Sequence, residues 1–152
     1  MPKVGDAAPE FELMTQDHTK KVKLSDFKGK KKVVLLFYPM DFSPVCTNEH
    51  CAFGPELGDM TAGQDAVVFG VSCDSPFSHA AFKKQFNIPY DLLSDVTRSV
   101  VKDYGLFMGE QPFNCGKRGT VVIDKAGKIT YFHEQPTLEE RKTADLKAAI
   151  AS

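Results

Sequence analysis

The chain predicts an α/β sandwich, and three observations carry that prediction. Short, β-rich apolar runs recur from residue 33 onward, and helical stretches stand between them. The first run, Val33-Val34-Leu35-Leu36-Phe37-Tyr38, is continuous and ends at Pro39, as a buried parallel strand does. The chain then closes with a hairpin and a last helix. At 152 residues it has the length of one ordinary domain, with no internal repeat, low-complexity tract or linker to divide it.

Taken in order, Leu24–Phe27 reads as a turn of helix before the lysine-rich bend Lys28–Lys32, itself a solvated turn. After the strand at 33–38, a helix is expected to begin near Cys46 and run toward Met60. Gly54-Pro55 interrupts it, because proline removes a helical hydrogen bond and glycine adds entropy cost. The stretch 46–53 is therefore a short, separable helix. Ala66–Ser72 is a second buried strand. Ser75-Pro76 opens a helix as N-cap and first residue, with Phe77, Ala80, Ala81, Phe82 and Phe86 at helical spacing. Val96–Tyr104 is a short helix closed by Gly105. Gly119–Asp124 and Ile129–Phe132 flank a turn at 125–128. Thr137-Leu138-Glu139-Glu140 resembles a capping box that starts the last helix, ending near Ile150.

Composition removes several function classes. A net charge of −1 leaves no basic face for nucleic acid. No apolar run approaches a membrane span. Met1–Asp6 lacks the apolar core of a secretory signal. Four cysteines without such a signal suggest a reducing, cytoplasmic setting, where paired cysteines are more often redox-active than structural.

The chemistry gathers at Cys46. It falls in the loop after the first strand, near a helix start, where free N–H groups and the helix dipole favour a thiolate over a thiol. The string Pro39-Met40-Asp41-Phe42-Ser43-Pro44-Val45-Cys46-Thr47-Asn48-Glu49 resembles the peroxiredoxin signature, proline-x-x-x-threonine/serine-x-x-cysteine. Further landmarks follow in order: Val4–Phe11, Val68–Ser75, Leu92–Asp95 and Arg118–Asp124. Cys51, five residues after Cys46, resembles the bacterioferritin-comigratory, or Q-type, branch.

The resemblance implies a thioredoxin-like fold over residues 1–152, a central mixed β-sheet flanked by helices with an N-terminal extension. Periodicity alone leaves a flavodoxin-like order open. It implies a thiol peroxidase in which Cys46 attacks a peroxide and becomes a sulfenic acid. Ser43 is then the group that orients the peroxide, Pro39 the wall against bulk water, Arg118 the cation at the sulfur and Glu49 its salt-bridge partner. Read from the residues alone, a helix cap is the minority alternative for Ser43, strand termination a further role for Pro39, and an exposed strand-leading charge the favoured reading of Arg118.

Cys51 is expected to resolve the sulfenic acid, with a packed thiol as the alternative. On an intact helix, five residues separate the two Cα atoms by about 8 to 9 Å, beyond the roughly 7 Å a disulfide tolerates. Resolution therefore requires the 46–53 helix to unwind. Cys73 is expected to be buried and inert, and Cys115 a spectator or an alternative resolving thiol. No cofactor is implied. The C-x4-C spacing is poor for zinc, and His18, His50, His79 and His133 show no ligand spacing, so no metal is expected either. His50 is expected at the surface. Thioredoxin is the expected reductant, and the chain a monomer or homodimer; Phe42, Phe107 and Met108 line a dimer face or fill the core. The alternatives are a one-cysteine enzyme resolved by an external thiol and a redox sensor or holdase using the same cysteine. A disulfide reductase lacks its C-x-x-C.

Overall fold

The computed structural model describes residues 2–109, 114–136 and 138–152. Its centre is β3 (Lys32–Phe37), whose side chains are buried on both faces. Alternation divides them. Val33, Leu35 and Phe37 enter one core with Phe69, Val71, Leu93, Tyr104 and Val121. Val34, Leu36 and Tyr38 enter the other with Cys46, Met60, Phe82, Leu92, Leu146 and Ile150. This two-sided burial is why the run reads as continuous rather than alternating.

β4 (Ala66–Ser72) lies parallel to β3 on one side. β5 (Asp91–Ser94) continues the sheet parallel to β4. On the other side of β3, β8 (Arg118–Ile123) and β9 (Ile129–Gln135) are antiparallel. At the far edge β1 (Glu12–Met14) pairs antiparallel with β5 and with β2 (Lys21–Lys23), giving the order β2-β1-β5-β4-β3-β8-β9. The antiparallel pair next to the central strand excludes the flavodoxin-like order. The first hairpin is the N-terminal extension. A separate pair is formed by β6 (Phe107–Met108) and β7 (Cys115–Gly116). β1, β2, β6 and β7 are two or three residues long, too short to show a period.

The helices are α1 (Pro44–Phe53), α2 (Leu57–Thr61), α3 (Pro76–Phe86), α4 (Ser99–Asp103) and α5 (Thr143–Ala151). The break between α1 and α2 falls at the predicted Gly54-Pro55. Ser75 caps α3 by accepting from the Ser78 N–H at 3.2 Å, and Asn87 ends it in the left-handed conformation. Two helices start later than expected. The predicted helix at 96–104 begins only at Ser99. Residues 95–98 form a turn in which the Arg98 N–H donates to the Asp95 carbonyl, and the Asp95 carboxylate accepts from Val100 and Val101 N–H. The last helix begins at Thr143, with Lys142 at the N-cap position. Thr137, the predicted capping residue, lies outside the described residues, as do Pro112 and Phe113. No described helix is long and apolar enough to cross a membrane.

Candidate active site

Pro39 is buried at the end of β3, and the chain must turn there to enter α1. The turn runs through Phe42, which adopts φ 65°, a conformation uncommon for an aromatic residue. Two sets of contacts hold it. The Phe42 ring packs on Phe82 and Phe86 of α3, with centroids 5.0 and 6.3 Å away. Beside it, Asp41 is anchored at several atoms. Its carboxylate accepts from Tyr38 Oη at 2.6 Å and Ser78 Oγ at 2.9 Å and meets His79 Nδ1 at 2.7 Å. Its N–H donates to Asp74 Oδ2 at 2.9 Å, an oxygen that also accepts from Ser72 Oγ at 2.5 Å. Burial, then Asp41, keeps the Tyr38 hydroxyl protonated by raising its pKa well above the ordinary value. Burial and Asp41 also raise Asp74.

This anchoring sets the start of α1. Ser43 occupies the N-cap position with extended backbone but no side-chain cap bond, and Pro44 is the first helical residue. Cys46 is the third, wholly buried. Cys46, Glu49 and His50 lie one turn apart on the inward face of α1, and Cys51 is exposed.

Arg118 reaches the sulfur because of strand register. Antiparallel pairing sets Gly119 opposite Phe37, so Arg118, the first residue of β8, stands at the end of β3 where α1 begins. Its Nη2 donates to Cys46 Sγ at 3.1 Å and its Nη1 to Glu49 Oε1 at 2.7 Å. The guanidinium is 1% exposed, so its charge is directed at these groups rather than at water. Arg118 is thus no surface charge.

Sequence reasoning missed Arg141. Its N–H donates to Glu49 Oε2 at 2.7 Å and its Nη1 to Glu49 Oε1. Its Nε donates to Thr120 Oγ1 at 2.6 Å, and its Nη2 to the carbonyls of Gly119 and Phe37. It ties α1 to both central strands. The only signal was a position in Glu139-Glu140-Arg141-Lys142, which reads as a solvated charge run.

His50 corrects another expectation. It is 1% exposed, not a surface residue. It is hydrogen-bonded to the Tyr90 hydroxyl through Nδ1 and set edge-on to Tyr38 and Phe82, with centroids 4.6 and 5.5 Å away. Burial first, then Arg141 and Arg118, lowers its pKa to about 3, so it is a neutral imidazole. Gly70 makes room for this aromatic layer: a Cβ there would fall 2.6 Å from Leu92 and 3.2 Å from Tyr38.

Of the other cysteines, Cys73 is half-buried and Cys115 buried in β7, not in a polar loop. Burial pushes Cys73 up to about 12 and raises Cys115, which leaves both as thiols at neutral pH. Phe42 is 46% exposed, while Phe107 and Met108 are half-buried. The Asp41, Asp74 and His79 side chains approach closely enough to hold a metal ion. The same side chains hold the loop, and His79 Nε2 meets the Leu93 carbonyl at 3.0 Å.

A cavity of about 320 Å³ opens at the site, between Pro39, Ser43, Val45, Met108 and Arg118. Its lining is mostly apolar, with the guanidinium and the Ser43 hydroxyl as polar groups. The arrangement offers a sulfur at a helix N-terminus, a cation in contact with it and a small, mostly apolar pocket beside both.

The chain is 40% identical to the 2-Cys peroxiredoxin BAS1 of spinach chloroplasts over 141 residues, 86% of this chain and 52% of that protein. It thus spans about half the length of that relative. It is 40% identical to peroxiredoxin Bcp of Bacillus subtilis over 132 residues, 83% of this chain and 81% of the other. The reduced 2-Cys peroxiredoxin of Plasmodium vivax superposes with a TM-score of 0.87 at 32% identity, over 97% of this chain and 80% of that one. The sheet order found above is accordingly the thioredoxin-like one. The AhpC/TSA family pattern matches residues 4–132, and the chain belongs to that family.

Proposed function

We propose that this chain is a thiol peroxidase acting on hydrogen peroxide and small organic hydroperoxides, with residues 1–152 working as one catalytic domain. The contact between Arg118 Nη2 and Cys46 Sγ carries the reading. A guanidinium is always charged and has several donors in a fixed fork. One donor holds the sulfur, and the same group stabilises the oxygen that departs as the O–O bond breaks. Ser43 orients the peroxide. Pro39 keeps water from the thiolate. Glu49 holds the guanidinium in place. The apolar walls of the cavity suit the alkyl group of an organic hydroperoxide.

The steps balance as follows. The Cys46 thiolate attacks the peroxide, forming an S–O bond and breaking O–O; one proton is taken up, and alcohol or water leaves. Cys46 is oxidised to the sulfenic acid. The Cys51 thiol then displaces water, forming a Cys46–Cys51 disulfide. An external dithiol, of the thioredoxin kind, reduces the disulfide and is itself oxidised. We place the reaction in the cytoplasm, with no nucleic-acid or membrane partner, in a monomer or homodimer. Support for Cys51 over Cys115 is its exposure and the raised pKa of the buried Cys115.

The test is peptide mapping after one equivalent of hydrogen peroxide, on wild type and Cys51→Ser. The expected result is a loss of two hydrogens at Cys46–Cys51 in wild type and a trapped sulfenic acid at Cys46 in the variant. Sulfenic acid in both proteins makes it a one-cysteine enzyme. A single oxidation with no turnover on added thioredoxin makes it a sensor. No oxidation at Cys46 overturns the reading.

A further inference from the structure

The proposed cycle places a demand on α1 that its own residues resist. Cys46 faces inward and Cys51 outward on one ten-residue helix, so a bond between them requires the turns that separate them to open. His50 lies on those turns. With Glu49 it is one of two fully enclosed polar side chains between the two sulfurs, and it is held by the Tyr90 hydroxyl from the segment before β5, by the Tyr38 ring from the end of β3 and by Phe82 from α3. Opening α1 necessarily draws His50 out of this aromatic seat into water.

We infer that His50 couples the unwinding of α1 to proton uptake, so that acid favours the open helix in which Cys51 reaches Cys46. This rests on the resolving role proposed for Cys51. His50 does not touch the reacting atoms; it is a positioning residue that acts through the helix.

The groups around the imidazole fix the sign. Arg141, Arg118 and His79 face it from the segment before α5, from β8 and from α3, and each disfavours a proton on the ring. The Tyr90 hydroxyl faces it from the segment before β5 and the Tyr38 ring from the end of β3, with the Tyr38 hydroxyl turned to Asp41; burial keeps both hydroxyls protonated. On its own helix stand Glu49, committed to the two guanidiniums, and the two cysteines. In the folded helix the ring stays neutral down to about pH 3. In the open helix it returns to an ordinary value of about 6.5. Above that value both forms are neutral and the helix keeps its full stability. As pH falls from there toward 3, only the open form takes up the proton, and the helix loses stability relative to it. The proton comes from solvent. The resolving step itself is unchanged: the Cys51 S–H and the Cys46 sulfenic acid give a disulfide and water.

Two measurements test this. The first compares disulfide formation after one equivalent of hydrogen peroxide in wild type and His50→Phe, at pH 7.5 and 5.5. Every pH-dependent step that does not involve His50 is common to both proteins and cancels in the ratio of their rates. The wild-type-to-variant ratio is expected to rise about tenfold from pH 7.5 to 5.5, following the open-form proton uptake. A flat ratio overturns the inference. The second uses wild type alone, so it stands even if the variant does not fold. Ring signals of His50 are followed by NMR in the thiol form and in the mass-verified Cys46–Cys51 disulfide form. The ring is expected to be silent between pH 8 and 4 in the thiol form and to titrate near about pH 6.5 in the disulfide form. A ring silent in both, or titrating in both, overturns the coupling while leaving Cys51 as resolver. If the mass shows no Cys46–Cys51 disulfide, the resolving role fails and the coupling falls with it.

Discussion

The loop before Cys46 and the helix after it are each tied to the fold by a polar network, and the two networks have opposite composition. After Cys46, one carboxylate, Glu49, is shared by two guanidiniums, Arg118 and Arg141. Before it, two carboxylates, Asp41 and Asp74, gather around the His79 imidazole and three hydroxyls. The first network has an excess of positive charge, and one of its donors touches the sulfur. The second has an excess of acid and holds the loop to α3 and β5. Both do the same mechanical work of pinning a segment to the sheet. Only the first places charge at the Cys46 sulfur. Burial and hydrogen bonding thus make both scaffolds, and the charge beside Cys46 is what separates one from the other; the proposed chemistry rests on that difference.

The largest expected effect follows from removing that charge. Arg118→Gln retains donors but no cation, and the rate of Cys46 oxidation should fall by about 100- to 1,000-fold, as when one preorganised donor to a developing charge is lost. Stopped-flow oxidation by hydrogen peroxide measures it. Arg141 still neutralises Glu49 in this variant, so the fold should persist. A variant that loses stability but keeps its rate would reduce the first network to the status of the second.

Glu49→Gln exchanges chemistry for stability. Glu49 is fully buried and accepts from both guanidiniums. Without its charge, two buried cations face each other uncompensated, and unfolding in denaturant should show a loss of about 3 to 5 kcal/mol. Arg118 would still face the sulfur, so the oxidation rate should fall less than in Arg118→Gln. The reverse order would mean that Glu49, not the cation, is the main determinant of reactivity.

How much of this was legible in the sequence follows from the physics of each part. β3, β4, α3 and the α1–α2 break are written in local patterns: an apolar run ended by proline, a serine-proline cap, a glycine-proline interruption. Cys46 and its neighbours were legible because a loop between a parallel strand and a helix is one contiguous segment. Arg118 needed the family resemblance, since only the antiparallel register of β8 on β3 brings it to the sulfur, and register is a long-range property. Arg141 was not legible. Its carbonyl, carboxylate and hydroxyl partners come from residues 37, 49, 119 and 120, and nothing near it in sequence distinguishes it from an exposed charge. His50 failed for a related reason. Its polarity predicts exposure, whereas its place on the inward face of α1 beside Tyr90 decides burial. The Asp41 network combines residues from 38 to 79, and sequence shows it only as an unremarkable polar loop.

The smallest effect belongs to the second network and tests whether its acid is surplus. Asp74 uses one oxygen, Oδ2, to accept from both the Asp41 N–H and Ser72 Oγ. An amide oxygen can take that place, so Asp74→Asn should keep the loop and leave Cys46 oxidation unchanged. What the substitution removes is a charge that burial and Asp41 disfavour. A carboxyl with a raised folded pKa costs nothing while it is protonated in both states. As pH rises through the unfolded value of about 3.8, the unfolded chain ionises first and the folded state loses stability until it ionises too. Asn carries no such loss. The melting temperature of the variant minus that of wild type should therefore increase from pH 4 to pH 7. A difference that instead decreases over that range would mean the Asp74 charge stabilises the loop, through His79, and that the second network is balanced rather than acidic.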